Sequence, residues 1–230
     1  LPEKTMSDIK FENEAGDRLL VLNVKKELME LSVRDKKLSE ALLSGVVRFD
    51  NDGDRIVFVD EDAKLRAYRV GERDEYLVAE ADKEAKLAAM RYFQESYVGM
   101  VVEGKFAVYR KTGWVASDEE MEKVFEEEVG FEVADVKKRG KGMVFEIVGT
   151  EGESKVFDIE AMTLVTVNAK NAGWVDEYLR YRVEDGKLSV LDYDGLNERE
   201  LVSEGVAKGR VVMISGNNRW LYYFAKVEGG

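Results

Sequence analysis

Four carboxylates in the stretch VVRFDNDGDRIVFVDED, Val46 to Asp62, have the spacing of a metal site. Asp50, Asp52, Asp54 and Glu61 occupy the first, third, fifth and twelfth places of a calcium-binding loop, whose chemistry is a ring of hard oxygen ligands around a divalent cation. The rest of the stretch opposes that reading. The sixth place, where such a loop needs glycine, is Arg55, and alternating apolar residues rather than helices flank the acidic run. Asn51 to Asp54 therefore reads as a hairpin turn, because the glycine of Asp-Gly accepts the positive φ that a tight turn demands. The run DYDGLNERE, with Asp192, Asp194, Asn197 and Glu198, takes the same reading, since Asp and Asn side chains bond their own backbone at bends.

Little other chemistry is open to the chain. It has no cysteine and no histidine, which removes disulfides, thiolate nucleophiles, Ser-His and Cys-His pairs and His-ligated zinc. Two carboxylates would suffice for glycan hydrolysis, but separation in space defines such a pair, and 47 acidic residues offer no choice by spacing. The glycine-rich KRGKGMVF, Lys138 to Phe145, leads into a strand rather than a helix and is a turn, not a nucleotide loop. Trp114 and Trp174 stand near strand ends, where aromatic rings reach ligands, and packing between sheets is the competing use of both. The cluster RWLYYF, Arg219 to Phe224, could stack sugars or hold a peptide. Its alternation is read first as a buried strand, with Trp220, Tyr222 and Phe224 on one face. No cofactor is implied.

The elements that position these residues form a repeat. RLLVLN, RIVFVD, YVGMVV, GMVFEI, YLRYRV and WLYYFA start at Arg18, Arg55, Tyr97, Gly142, Tyr178 and Trp220, spaced 37, 42, 45, 36 and 42 residues apart. Each of the first five leads through a polar turn into a second alternating strand, such as KLRAY at Lys64 or KLSVL at Lys187. Further strands precede and follow, giving four strands per unit of about 40 residues, which is the signature of a β-propeller blade. A β-sandwich shows similar short strands but has no reason to keep a fixed period. The chain is thus expected to be all-β, a single domain of about six blades at 7–45, 46–84, 85–130, 131–172, 173–205 and 206–230. The last supplies only two strands, and its sheet is expected to be incomplete or to be finished by Leu1 to Met6 or by another chain. One interruption is expected. Ser117 and Glu120 form a capping box, and Met121, Val124 and Phe125 share a helical face, so a short inserted helix is predicted near 117–128.

The fifth unit, GWVDEYLRYRVEDGKLSVLDYDGLNERELV, resembles TolB-type and WD-like propeller repeats, as do VRFDNDGDRIVFVDEDAKLRAYRV of the second unit and GNNRWLYYF of the sixth. The whole chain is similar to the propeller region of PEGA-type membrane-anchored bacterial surface proteins. The resemblance implies a non-enzymatic binding or scaffolding module for a protein or surface glycan. It would act on the extracytoplasmic face of a bacterial membrane, anchored by segments outside this chain, and it brings no catalytic residue. A carboxylate-based glycan hydrolase or lyase and an intracellular scaffold are the alternatives. A net charge of −12 repels phosphate backbones and anionic lipid, so nucleic acid and direct membrane insertion are not expected.

Overall fold

The computed structural model describes residues 6–11, 17–53, 55–70, 75–112, 121–139, 143–167, 172–176, 178–207, 213–214 and 220–225, all of them strands, turns and connecting segments. The chain falls into two compact units, Leu1–Glu128 and Val129–Gly230, divided beside the expected third blade boundary.

The first unit holds three four-stranded antiparallel meanders. These are β1 (Met6–Phe11), β2 (Arg18–Asn23), β3 (Glu27–Ser32) and β4 (Lys37–Ser44); β5 (Val46–Asn51), β6 (Arg55–Asp60), β7 (Lys64–Arg69) and β8 (Glu75–Glu80); and β9 (Lys86–Tyr92), β10 (Glu95–Val102), β11 (Lys105–Thr112) and β12 (Glu122–Glu128). The second unit holds two more four-stranded sheets: β13 (Val133–Arg139), β14 (Val144–Gly149), β15 (Ser154–Asp158) and β16 (Thr163–Val167), then β17 (Ala172–Trp174), β18 (Leu179–Glu184), β19 (Lys187–Asp192) and β20 (Arg199–Val202). A two-stranded sheet of β21 (Met213–Ile214) and β22 (Leu221–Tyr222) follows.

Within each unit the periodic strands form because neighbouring sheets cover one another's faces. In β6, Ile56 and Phe58 pack with Leu20, Leu22 and Leu28 of the first sheet, while Val57 and Val59 pack with Leu87, Ala89, Val98 and Met100 of the third. A strand buried on both sides reads as a continuous apolar run, which is why IVFV lacks polar alternation. Val144, Val156 and Val167 of the fourth sheet meet Trp174 and Tyr193 of the fifth in the same manner. The hairpins close on residues that tolerate left-handed backbone. Glu103 and Gly104, at φ of 50° and 77°, and Asp185 and Gly186, at 49° and 80°, have positive φ at both central positions, the primed-turn geometry that matches strand twist.

The structure replaces the expected helix. Glu122–Glu128 is strand β12, laid antiparallel on β11 with Phe125 opposite Val108 and Lys123 opposite Tyr109; residues 113–120, with Ser117 and Glu120, lie outside the described residues. Local helix signals lose here to the free edge of β11, whose backbone groups need partners. Met121 joins the core between the second and third sheets, and Phe125 sets its ring 6.5 Å from Phe106. The exposed glutamates suit an edge strand, because charge there discourages further pairing. Met6 belongs to β1 in the first sheet, paired with β2, and Leu1 to Thr5 lie outside the described residues.

Candidate functional site

The acidic stretch forms a hairpin. The backbone N–H of Asp52 donates to the Arg55 carbonyl at 3.0 Å, closing the turn between β5 and β6. Asp54 lies outside the described residues. The other three carboxylates part company. Six residues of β6 separate the turn from Glu61, a run of about 20 Å, and the Glu61 carboxylate is taken by Lys26 Nζ at 2.8 Å. The Lys26 hydrogen bond and charge hold the Glu61 carboxyl below its ordinary pKa.

Asp50 has a different use. It is 6% exposed and stands on the first strand of the second sheet. One oxygen accepts from Lys10 Nζ of β1 at 2.8 Å and the other from the backbone N–H of Ala89 of β9 at 2.8 Å. β9 ends the ladder of its sheet, so Asp50 supplies an acceptor that no strand provides, and one carboxylate ties together the first strands of three sheets.

The second acidic run also organises its own turn. Gly195 N–H donates to the Asp192 carbonyl at 2.9 Å, Leu196 N–H to the Asp194 side chain at 2.9 Å, and the Asn197 amide to the Asp192 side chain at 2.7 Å. Glu198 instead meets Arg182 across a polar hollow of about 440 Å³ on the fifth sheet, lined also by Glu184, Asp185, Lys187, Ser189 and Glu200. A glycosidase acid needs a carboxyl whose pKa is raised. Glu198 shows the opposite, lowered by the Ser189 hydrogen bond and by Arg182 against the effect of burial. Lys187 holds Glu200 at 3.1 Å, and among the described residues no aromatic ring lines the hollow to stack a sugar.

Trp174 sits half-buried on β17 with two guanidinium groups over its ring, Arg180 at 5.2 Å and Arg139 at 5.8 Å. Glu146 neutralises this stack: Arg139 approaches it to 2.6 Å and Arg180 to 3.9 Å. Arg180 is only 2% exposed, and burial lowers its pKa while Glu146 opposes that effect. Trp174 thus packs the fourth sheet onto the fifth, whereas Trp114 lies outside the described residues. The sequence carried no sign of this arrangement, because Arg139, Glu146, Trp174 and Arg180 come from four different strands.

The expectation of a buried RWLYYF strand is overturned. Trp220, Tyr222, Tyr223 and Phe224 are 65, 54, 41 and 52% exposed, and Leu221 is the side chain that packs on Val183, Leu188 and Val206. Among the described residues this sheet has two strands, so the outer face of β22 lacks the covering sheet that alternation presupposes.

No protein-family model matches the chain, and no curated protein does. Solved structures share its fold. The WD40 domain of SCAP from fission yeast superposes with a TM-score of 0.64 at 11% identity, over 93% of this chain and 56% of that one. It has the fold of a WD40 β-propeller. The fission yeast SREBP–SCAP binding-domain complex gives 0.64 at 11% identity, over 94% and 66%, and the mitotic checkpoint complex 0.57 at 14%, over 98% and 73%. This propeller chain therefore spans little more than half the length of the SCAP domain it matches.

Proposed function

We propose that the chain is a non-enzymatic binding module, a propeller that holds a protein partner against the aromatic row of its sixth sheet. The observation that carries this reading is the row itself: Tyr222 of β22 with Trp220 just before the strand and Tyr223 and Phe224 just after it, each more than two-fifths exposed. Aromatic rings gathered at and around an accessible strand are the usual anchors of a protein contact, because each buries a large area at little cost in side-chain freedom. An extended peptide suits the place, since it can pair its backbone with a strand edge while alternate side chains meet the rings. The fold supports a scaffold, and among the proteins sharing it are chains of two protein assemblies. The likeness of the repeat to TolB-type and PEGA-associated propellers supports a working place on the extracytoplasmic face of a bacterial membrane, which protease accessibility on intact cells would test.

Selection from a displayed random-peptide library tests the binding reading. Enriched peptides should bind the wild-type chain and lose affinity for the Trp220→Ser/Tyr222→Ser variant, while an array of surface glycans stays silent. Retention of glycans, or peptides that bind the variant equally well, would overturn the proposal.

A further inference from the structure

The cleft between the fourth and fifth sheets buries two guanidinium groups against one shared carboxylate. Trp174 of β17 and Arg180 of β18 are directly opposite in register, so their side chains leave the same face of the fifth sheet. That face meets the fourth sheet, because Trp174 packs with Val144, Val156 and Val167. Glu146 of β14 lies beside both arginines, and Arg139 of β13 holds it more closely. Arg139 Nε and Nη2 are 2.7 and 2.6 Å from Glu146 Oε2, whereas Arg180 Nη2 stops 3.9 Å from Oε1, beyond hydrogen-bond reach.

Two N–H groups are left over at this place. Arg180 is only 2% exposed, yet its Nε has no hydrogen-bond partner, and the indole N–H of Trp174 is likewise buried without one. A buried donor without an acceptor costs free energy, and more where the group is charged. Burial disfavours the Arg180 charge, Glu146 supports it and Arg139 opposes it. Asp158, also in this cleft, has other work: it accepts from the Tyr193 hydroxyl and from the N–H groups of Glu160 and Ala161. The approach to Arg180 runs past Trp174, which is half-buried, and Arg139, whose side chain is 33% exposed.

We propose that Arg180 Nε and the Trp174 indole N–H are the two donors of a carboxylate-binding site in the cleft between the fourth and fifth sheets. A carboxylate fits on two counts. It brings two oxygens to two N–H groups, and its single negative charge stands beside a guanidinium that Glu146, held by Arg139, reaches only at 3.9 Å. The site is on the face of the fifth sheet opposite Val183 and Leu188, which pack with Leu221 of the sixth, so its test does not depend on the aromatic row.

The indole N–H resonance of Trp174 in the isotope-labelled full chain, assigned by its loss in Trp174→Phe, reports on the site directly. Sodium acetate, inorganic phosphate, tetraglycine and tetraglycine amide are titrated in separate arms at constant ionic strength. A saturable shift of that resonance with acetate or tetraglycine, weakened about tenfold or more by Arg180→Met through loss of one charge-assisted hydrogen bond, supports the site. Acetate alone would name a free acid as the ligand, and tetraglycine with its amide silent a chain end. If Arg180→Met fails to fold, Arg139→Gln takes its place, because it frees Glu146 to pair with Arg180 and should weaken the same titration. No saturable shift, a titration unchanged in the variant, or a response to phosphate or the amide equal to that of the carboxylates would overturn the proposal.

Discussion

Asp50→Ala probes a side chain that links the first strands of three sheets. It removes the acceptor of the Ala89 N–H, at a residue that is itself 1% exposed. A buried donor left without a partner costs roughly 1–3 kcal/mol. The Lys10 contribution is smaller, about 0–1 kcal/mol, because that side chain is 33% exposed and can turn to water. The variant should therefore lose about 1–4 kcal/mol. Asp50→Asn keeps an acceptor for Ala89 and gives up only the ion pair, so it should lose about 1 kcal/mol or less. Urea unfolding followed by a probe placed in the Leu1–Glu128 unit measures both, with the ranking Ala below Asn below wild type. Equal stability of Asp50→Ala and wild type would refute the tie between sheets. So would a large calcium-dependent stabilisation of the wild type that Asp50→Ala or Asp52→Ala abolishes, because a cation bound only to the folded state must raise its midpoint.

Three further outcomes follow from other parts of the fold. Phe125→Ala should cost about 1–2 kcal/mol in denaturant unfolding, less than a fully buried phenylalanine because β12 is an edge strand, and an unchanged midpoint would contradict the Phe106 contact. Burial works to raise the Asp60 pKa, but the Arg66 hydrogen bond, the N–H groups of Lys64 and Asp62 and the Arg66 charge outweigh it and hold the carboxyl below the ordinary aspartate value. The stability this confers is present above the unfolded pKa and is lost as pH falls through the lower folded one, so Asp60→Asn should flatten the acid limb of a stability–pH curve and leave no slope difference if the pair is absent. Burial and the Glu95 hydrogen bond push the Tyr97 hydroxyl up to about 12. That contribution is lost as pH rises through the folded pKa, and Tyr97→Phe should remove one late step from the phenolate absorbance titration.

The strands were legible because their burial is periodic. A residue such as Phe58 faces one neighbouring sheet and Val59 the other, and the run that results repeats with each blade. Turns were legible where the chemistry is local, as in Asp-Gly at Gly53 or Asp192 to Asn197, whose side chains bond backbone a few residues away. The stretch at Glu122–Glu128 misled because its helical spacing is local while the need of β11 for an edge partner is not. Trp220 to Phe224 misled because alternation reports which residues share a face, not whether another sheet covers it. The use of Asp50 and the contact of Trp174 with two arginines depend on residues up to 41 positions apart meeting across sheets, as Arg139 and Arg180 do, which no motif spacing encodes.

The central claim is that the aromatic row of the sixth sheet binds protein. Its most direct test is calorimetric titration of one library-selected peptide into the wild-type chain and into the Trp220→Ser/Tyr222→Ser variant, with folding of both confirmed by their unfolding curves. The account predicts saturable binding to the wild type with a negative heat-capacity change from apolar burial, and loss of that binding in the folded variant. Equal binding by the two proteins would contradict it.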